Sequence, residues 1–225
     1  MYQVYEALKN AQKARATELP VTRFGAEMRV ITSKLQPLFA AAGGGCVTLG
    51  VSACSPGEGA STVSRELALH LVGESMSVLL CAALGPADPS TAKSSVPTTD
   101  SSSNILATRP ITMGTLDRLA RADISDLYRP QSTVADKTAF ADWLATASVQ
   151  FDVILIDCPP VLQQGSWASI LRVFNGIMLI VEAEKTRSIV IDTTLRVIEE
   201  SRGKLLGFIF NKRRQYVPSF LYRWL

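Results

Sequence analysis

The sequence predicts an α/β fold, a doubly wound and mostly parallel sheet with helices on both faces. Short apolar runs of strand length alternate along the chain with segments of helical periodicity. The run FDVILIDCPP at residues 151–160 is continuously apolar up to one carboxylate, as expected of a strand covered on both faces. A chain of 225 residues, 47% of them apolar, suits one such domain with a full core.

The first elements follow from periodicity and from the residues that interrupt it. Residues 1–22 form a polar lead, partly helical at 5–13, which we expect to act as a tether. Apolar residues at helical spacing predict a helix over residues 24–41, and the glycines after it end that helix. An apolar run from Val47 predicts the first strand, a helix follows up to Val72, and residues 77–84 predict the second strand.

The later elements are predicted from the same two periodicities. Residues 85–103 are rich in Ser, Thr and Pro and are interpreted as a long loop inside the domain, which spans residues 23–211. Further helices are predicted at residues 113–127, 136–147, 167–174 and 188–200, and further strands at residues 105–108, 151–160, 176–183 and 205–211. Residues 212–225, KRRQYVPSFLYRWL, form a basic and aromatic tail.

A glycine loop, SPGEG, lies between the first predicted strand and the helix that follows it. Gly57 and Gly59 allow backbone amides to turn inward, and the helix N-terminus adds unpaired N–H groups that attract a phosphate. Ser61 and Thr62 stand where a hydroxyl would hold magnesium. Because ligands of such sheets lie at the carboxyl ends of the strands, Asp157 is expected beside this loop.

The loop departs from the phosphate-binding pattern G-x-x-x-x-G-K-[ST] at two positions. Ala60 stands where the pattern requires lysine, and Cys54 stands where it requires the first glycine. The loop therefore has the scaffold of a triphosphate site without its principal cation.

Composition and charge exclude several classes of protein. The net charge of +3 is too small to indicate a nucleic-acid-binding protein. The four cysteines have no spacing typical of a metal or redox site, so we expect buried, reduced thiols and a cytoplasmic setting: Cys46, Cys54, Cys81 and Cys158. Residues 2–15 are polar and predict no signal peptide, and no apolar run is long enough to predict a membrane span.

With the loop and strands placed, the chain resembles the cytoplasmic domain of bacterial tyrosine kinases (BY-kinases), which belong to the MinD/ParA-like group of P-loop ATPases. The resemblance spans residues 27–211 and is carried by SPGEGAST, FDVILIDCPPVL, GIMLIVEA with EKTRS, and LLGFIFN. It implies a nucleotide site at the residues that match the family's motifs: Gly57, Glu58, Gly59, Ala60, Ser61, Thr62, Asp157 and Asn211. Within that set, Asn211 resembles an asparagine that can face adenine, or it is a turn residue after a strand.

The departures from the family concentrate on its chemistry. Cys81 and Ala83 align with the Asp-x-Asp pair that handles magnesium and the acceptor hydroxyl, and Ser166 replaces a further aspartate. Phosphoryl transfer depends on positioning and charge stabilisation, so these losses together with Ala60 predict no useful kinase or ATPase activity. We therefore expect no catalytic residues, no metal site and no required cofactor, although weak binding of ATP or ADP with magnesium stays open.

The family's oligomerisation motif E-x-x-R-x-x-R is also incomplete. Near Glu27 only Arg29 aligns, and Thr32 stands where the second arginine should be, so a ring assembly is doubtful although a homo-oligomer is allowed. The C-terminal tyrosine cluster is reduced to Tyr216 and Tyr222.

The resemblance implies a cytoplasmic scaffold or regulator that is peripherally associated with the inner membrane through a membrane polysaccharide co-polymerase or export protein. The tail at 212–225 suits contact with an anionic membrane surface or an acidic partner, or it covers the sheet edge. Two alternatives remain at this stage. One is slow ATPase or autokinase activity with a substituted cation from Lys93, Arg65 or Lys185, and the other is a MinD/ParA-like positioning module. His70, the only histidine, is interpreted as a helix-surface or core-edge residue.

Overall fold

The computed structural model describes residues 24–83, 118–124, 134–163 and 170–213. Within these ranges the helices are α1 (Gly25–Ala41), α2 (Ala60–Gly73), α3 (Val134–Ser148) and α4 (Ser188–Glu200), with a short 3₁₀ helix at Leu171–Val173. The strands are β1 (Val47–Ala53), β2 (Val78–Ala82), β3 (Leu119–Asp123), β4 (Val153–Asp157), β5 (Gly176–Glu182) and β6 (Leu205–Asn211).

All six strands pair in parallel, in the order β3-β2-β4-β1-β5-β6. Every residue of β1 is buried, because this strand lies near the centre of the sheet with a strand on each side and helices above and below. The predicted doubly wound α/β fold is confirmed.

Side-chain alternation along β4 divides the core into two layers. Val153 and Leu155 face the layer that holds the apolar residues of α1 and α2, whereas Ile154 and Ile156 face the layer that holds those of α3 and α4. These four residues of β4 are all 0% exposed. Helices therefore cover both faces of the sheet, as the continuous apolar run predicted.

Two predictions of secondary structure were wrong in part. Residues 119–123, predicted to lie in a helix over 113–127, form strand β3, which pairs with β2 from Leu119↔Val78 to Asp123↔Ala82. Only Ala120 to Asp123 alternate apolar and polar residues, which is too short a pattern to predict a strand, and pairing with β2 stabilises β3 at the edge of the sheet. In the helix predicted over 167–174, the described residues 170–174 contain only the 3₁₀ turn.

The other predicted helices and strands within the described ranges are present, with ends that differ by a few residues. Several predictions fall outside the described residues. These are the lead at 1–22, the loop at 85–103, the strand at 105–108, Lys93, Ser166, Tyr216, Tyr222 and all of the tail beyond residue 213.

Candidate phosphate-binding site

Residues 54–59 form a loop that connects the carboxyl end of β1 to the N-terminus of α2. Gly57 and Gly59 have φ angles of +78° and +100°, a region of backbone space that glycine adopts readily and residues with a Cβ rarely adopt. The Val63 N–H donates to the Gly59 carbonyl at 3.0 Å and closes the first helical turn. The N–H groups at the start of α2 have no carbonyl within the helix to bond, so they are positioned to bind an anion.

Glu58 stabilises the beginning of the loop by accepting hydrogen bonds from its backbone. Its side chain is buried, and its Oε2 accepts hydrogen bonds from the Cys54 N–H at 2.8 Å and the Ser55 N–H at 3.1 Å. The Thr186 hydroxyl donates to Glu58 Oε1 at 2.5 Å, which ties the loop to the turn between β5 and α4. Glu58 was predicted in the site, whereas Thr186, which lies 128 residues away in sequence, was not.

The end of β6 holds the middle of the loop. Asn211 Nδ2 donates to the Glu58 carbonyl at 2.8 Å, and Lys212 Nζ donates to the Gly57 carbonyl at 2.6 Å. A Cβ at Gly59 would collide with the Asn211 side-chain amide, so this close approach requires glycine. Asn211 therefore contacts the loop itself in this structure.

Asp157 lies at the carboxyl end of β4, opposite Val51 of β1 and Ala82 of β2. Burial raises the pKa of its carboxyl group, while the hydroxyl groups of Ser61 and Ser64, both on α2, oppose that shift. Asp157, which was predicted beside the loop, thus lies next to the first two turns of the helix that follows the loop.

A cavity of about 320 Å³ opens beside Asp157, between the first turns of α2 and strands β2 and β3. Its lining residues are Ser61, Thr62, Ser64, Arg65, Leu80, Cys81, Ala82, Arg121, Ala122 and Asp157. Cys81 is completely buried, and that burial raises the pKa of its thiol well above the usual value. Arg121 was missed by sequence analysis because it belongs to the strand that was predicted as a helix.

The cations considered as replacements for the loop lysine lie in different places. Lys185 Nζ lies 3.2 Å from Glu182 Oε2, and Arg65 lines the cavity. Lys212, which sequence analysis assigned to the tail, reaches the loop carbonyl and also lies 3.2 Å from Glu182 Oε2. Hydrogen bonding to Lys185, followed by that to Lys212, lowers the pKa of Glu182.

Other residues singled out in the sequence lie away from the loop. His70 Nε2 is 3.9 Å from Glu74 Oε1 on the far part of α2. On α1, Glu27 and Arg29 are exposed and Thr32 is buried. Among the described residues, no three His, Cys, Asp or Glu side chains are grouped so that they could hold a metal ion. No helix in those same ranges is both long and apolar enough to cross a membrane.

Comparison with protein-family models gives no match. Comparison with curated protein sequences also gives none.

Comparison with solved structures shows the fold of BY-kinase domains. The VpsO kinase domain has a TM-score of 0.62 and 20% identity, covering 84% of this chain and 95% of that chain. The kinase domain of the Escherichia coli tyrosine kinase ETK has a TM-score of 0.65 and 15% identity, covering 92% of this chain and 83% of that chain. Cobyrinic acid a,c-diamide synthase from Mycobacterium smegmatis, solved with an ATP analogue and magnesium, has a TM-score of 0.52 and 20% identity, covering 73% of this chain and 74% of that chain. The chain thus has the α/β fold of P-loop NTPases.

Proposed function

We propose that this chain is a catalytically inactive, BY-kinase-like pseudo-ATPase that acts as a scaffold or regulator in a membrane complex for exopolysaccharide polymerisation or export. The observation that carries this proposal is that three side chains at the site are uncharged, although the backbone has the fold of a P-loop NTPase. Ala60 precedes Ser61 at the start of α2, and Cys81 and Ala83 are buried at the carboxyl end of β2. None of the three side chains carries a charge that would stabilise a transferring phosphoryl group.

The contacts of the loop support a structural role for it. Glu58, Thr186, Asn211 and Lys212 hold the loop through hydrogen bonds within the chain. These contacts, from within the loop, from Thr186 and from the end of β6, fix the backbone of the loop. An ordered surface of this kind is suited to binding a partner.

The proposed partner is a membrane polysaccharide co-polymerase or export protein, which would place the chain in the cytoplasm at the inner membrane. The shared fold with BY-kinase domains supports this class of partner. The basic and aromatic composition of residues 212–225 supports contact with an acidic partner surface or anionic lipid.

The inactivity is tested by measuring ATP hydrolysis and ATP binding with magnesium, beside the VpsO kinase domain as the active reference. We expect no phosphate release above background. The Ala60→Lys variant should bind Mg-ATP about tenfold more tightly or better, since an ammonium group at this position bonds the terminal phosphates. Ala60→Gln, which is similar in length but uncharged, is the matched control. Hydrolysis by the natural sequence at the rate of the VpsO domain would refute the proposal.

The scaffold role is tested by co-purification from inner-membrane extracts, with the bound proteins identified by mass spectrometry. The full chain is compared with a variant that ends at Arg213 and so keeps Lys212 on the loop. We expect the full chain to recover a polysaccharide polymerisation or export protein and the shortened chain to recover much less. Equal recovery would remove the tail from the interface, and recovery of no such protein would contradict the scaffold role.

One observation favours a second candidate, slow ATP hydrolysis with a substituted cation. Lys212 Nζ donates a hydrogen bond to the Gly57 carbonyl, in the loop where a phosphate would bind. If weak hydrolysis is detected, Lys212→Gln should abolish it, whereas Lys185→Gln should not. Both ammonium groups lie 3.2 Å from Glu182 Oε2, but Lys212 also donates to the Gly57 carbonyl of the loop. Equal activity of both variants would exclude this role for Lys212.

A further inference from the structure

Strand β6 is an edge of the sheet with unpaired backbone groups. It stands last in the strand order, and β5 is its only partner among the described strands. The Ala183 N–H, just after β5, donates to the Asn211 carbonyl at 2.9 Å, so the backbone groups of Asn211 point toward β5. Because these groups alternate in direction along a strand, the N–H and C=O groups of Phe208 and Phe210 point away from β5. No other described strand bonds them.

The side chains of the same two phenylalanines form an apolar surface at this edge. Their partners in β5 are Leu179 and Val181, which belong to the core layer that holds α3 and α4. The two rings therefore lie on that face of the sheet, where Phe208 is 39% exposed and Phe210 is 66% exposed. The sequence of β6, LLGFIFN, contains no charged residue and no proline, which are the residues that commonly prevent an edge strand from pairing. An edge of this composition favours pairing with a further strand.

Residues 220–225, which follow β6 in the sequence and lie outside the described residues, have a pattern that fits this edge. They read FLYRWL, with aromatic residues at Phe220, Tyr222 and Trp224 that alternate with leucine and arginine. Aromatic residues at every second position are typical of a strand. Pro218 cannot donate a hydrogen bond to a neighbouring strand, so a paired segment is expected to begin after it.

The short connection between β6 and this segment favours pairing within the chain. Lys212, the residue after β6, has a φ of +55°, a conformation that is uncommon outside glycine and that occurs in turns. Only residues 212–218 separate β6 from Ser219. A segment joined by so short a connection has an effective concentration on the order of millimolar at the edge. A second copy of the chain would have to compete with it.

We propose that residues 219–225 pair antiparallel with β6 and add a strand to this edge of the sheet. The register follows from the outward backbone groups of β6, which form hydrogen-bonded pairs with a new strand. Phe220 then lies opposite Phe210. Tyr222 lies opposite Phe208, so the aromatic rings share the face of α3 and α4 and form cross-strand contacts.

This inference goes beyond the proposed function, because it concerns a contact within the chain and not the membrane partner. The basic residues at 212–214 precede the paired segment and are left for an acidic partner surface.

The test is amide hydrogen exchange, followed residue by residue by NMR, in the full chain and in a variant that ends at Arg213. In the full chain we expect the Phe208 and Phe210 amides to exchange about tenfold or more slowly than in the shortened chain. The Ile209 amide points toward β5 and is the internal control, with equal exchange expected in both chains. Equal exchange of the Phe208 and Phe210 amides in the two chains would overturn the inference.

Proline substitutions test the pairing without shortening the chain. Tyr222→Pro removes an N–H that bonds Phe208 in the proposed register, so the Phe208 amide should exchange about as fast as in the shortened chain. Arg223→Pro removes an N–H that points away from β6 and is the matched control, with little effect expected. Unchanged protection of Phe208 in Tyr222→Pro, or equal loss of protection in both variants, would contradict the pairing.

A nuclear Overhauser effect fixes the register. Ile209 and Leu221 form a non-hydrogen-bonded pair in the proposed register, with Cα atoms about 4.5 Å apart, so their Hα atoms should show a cross-peak. A cross-peak from Ile209 to Tyr222 instead would place the aromatic rings on the other face and overturn the inference. Protection of β6 that rises with protein concentration and persists in the shortened chain would identify a second copy as the occupant of the edge, which also overturns it.

Discussion

At the scale of single residues, the pKa of a carboxyl group depends on its place along a buried strand. Asp157, at the end of β4, and Asp152, just before it, show opposite shifts. Asp157 follows four buried residues of β4, and burial raises the pKa of its carboxyl group. Asp152 stands just before the same strand and is exposed. Its carboxylate accepts hydrogen bonds from the Ser77 N–H at 2.7 Å and the Ser77 hydroxyl at 2.8 Å, which lower its pKa.

These opposite shifts predict opposite effects of pH on stability. The folded pKa of Asp157 lies above its ordinary value of 3.8, so the native state binds more protons than the unfolded state. The free energy of unfolding therefore falls as pH rises from the ordinary pKa to the folded pKa of this residue. Asp157→Asn should therefore gain stability relative to the natural sequence as pH rises above about 4. Urea unfolding at several pH values measures the difference.

Asp152→Asn is the matched control for this prediction. Its folded pKa is lowered, so its stabilising contribution is present above the ordinary value of 3.8 and is lost as pH falls through the folded pKa. The variant should be less stable than the natural sequence at neutral pH, and the difference should shrink in acid. A pH-independent difference for Asp157→Asn would show that its carboxylate is solvated in the native protein.

At the scale of the element, the loop of residues 54–59 depends on backbone conformation as much as on side chains. Gly57 and Gly59 both have positive φ, yet their surroundings differ. A Cβ at Gly57 would meet no atom within 4 Å, whereas a Cβ at Gly59 would collide with the Asn211 amide that bonds the Glu58 carbonyl. A side chain at Gly57 would thus cause backbone strain alone, whereas a side chain at Gly59 would also cause a steric clash.

Alanine at each glycine should show this separation. Gly57→Ala should cost about 1–2 kcal/mol of unfolding free energy from strain in the left-handed region. Gly59→Ala should cost about 1 kcal/mol more, since the Asn211 hydrogen bond is lost as well. Denaturant unfolding of both variants gives the comparison.

The extra cost at Gly59 should depend on Asn211. In an Asn211→Ala background the two alanine substitutions should become nearly equal, because the colliding amide is absent. If Gly59→Ala remains more costly there, the additional strain comes from the loop backbone and not from Asn211.

At the scale of the whole molecule, the core layer that holds α3 and α4 encloses three of the four thiols. Cys54, Cys81 and Cys158 are buried, and Cys46 is partly exposed just before β1. Burial raises the pKa of all four thiols, that of Cys46 to about 11. All four cysteines are free.

The native protein should consequently react slowly with a thiolate-selective reagent. At about pH 8 only about one Cys46 side chain in a thousand is ionised, and the other three are shielded by the core. We expect Cys46 to react first and slowly, and all four thiols to react rapidly in urea. Cys46→Ser should remove only the first phase. Rapid native reaction of a second thiol would indicate that one core layer opens readily.

The sequence by itself determined the elements whose periodicity is strong and local. Three features could be predicted from the sequence alone: the apolar run of β4, the glycine loop without its lysine, and the helix over residues 188–200. Their alternation was sufficient to predict the doubly wound sheet. Strand β3 could not be predicted from the sequence. It has five residues at the edge of the sheet, and it is stabilised by pairing with β2 and not by its own pattern of apolar residues.

Only the tertiary structure decided which distant residues meet at the loop. Parallel strands bring their carboxyl ends to one edge of the sheet, and this places Thr186 and Lys212 on a loop more than 120 residues earlier in the sequence. It also brings Arg121 to the cavity beside Asp157. No local pattern encodes these contacts, since each one depends on strand order and register, which are set by packing of the entire sheet.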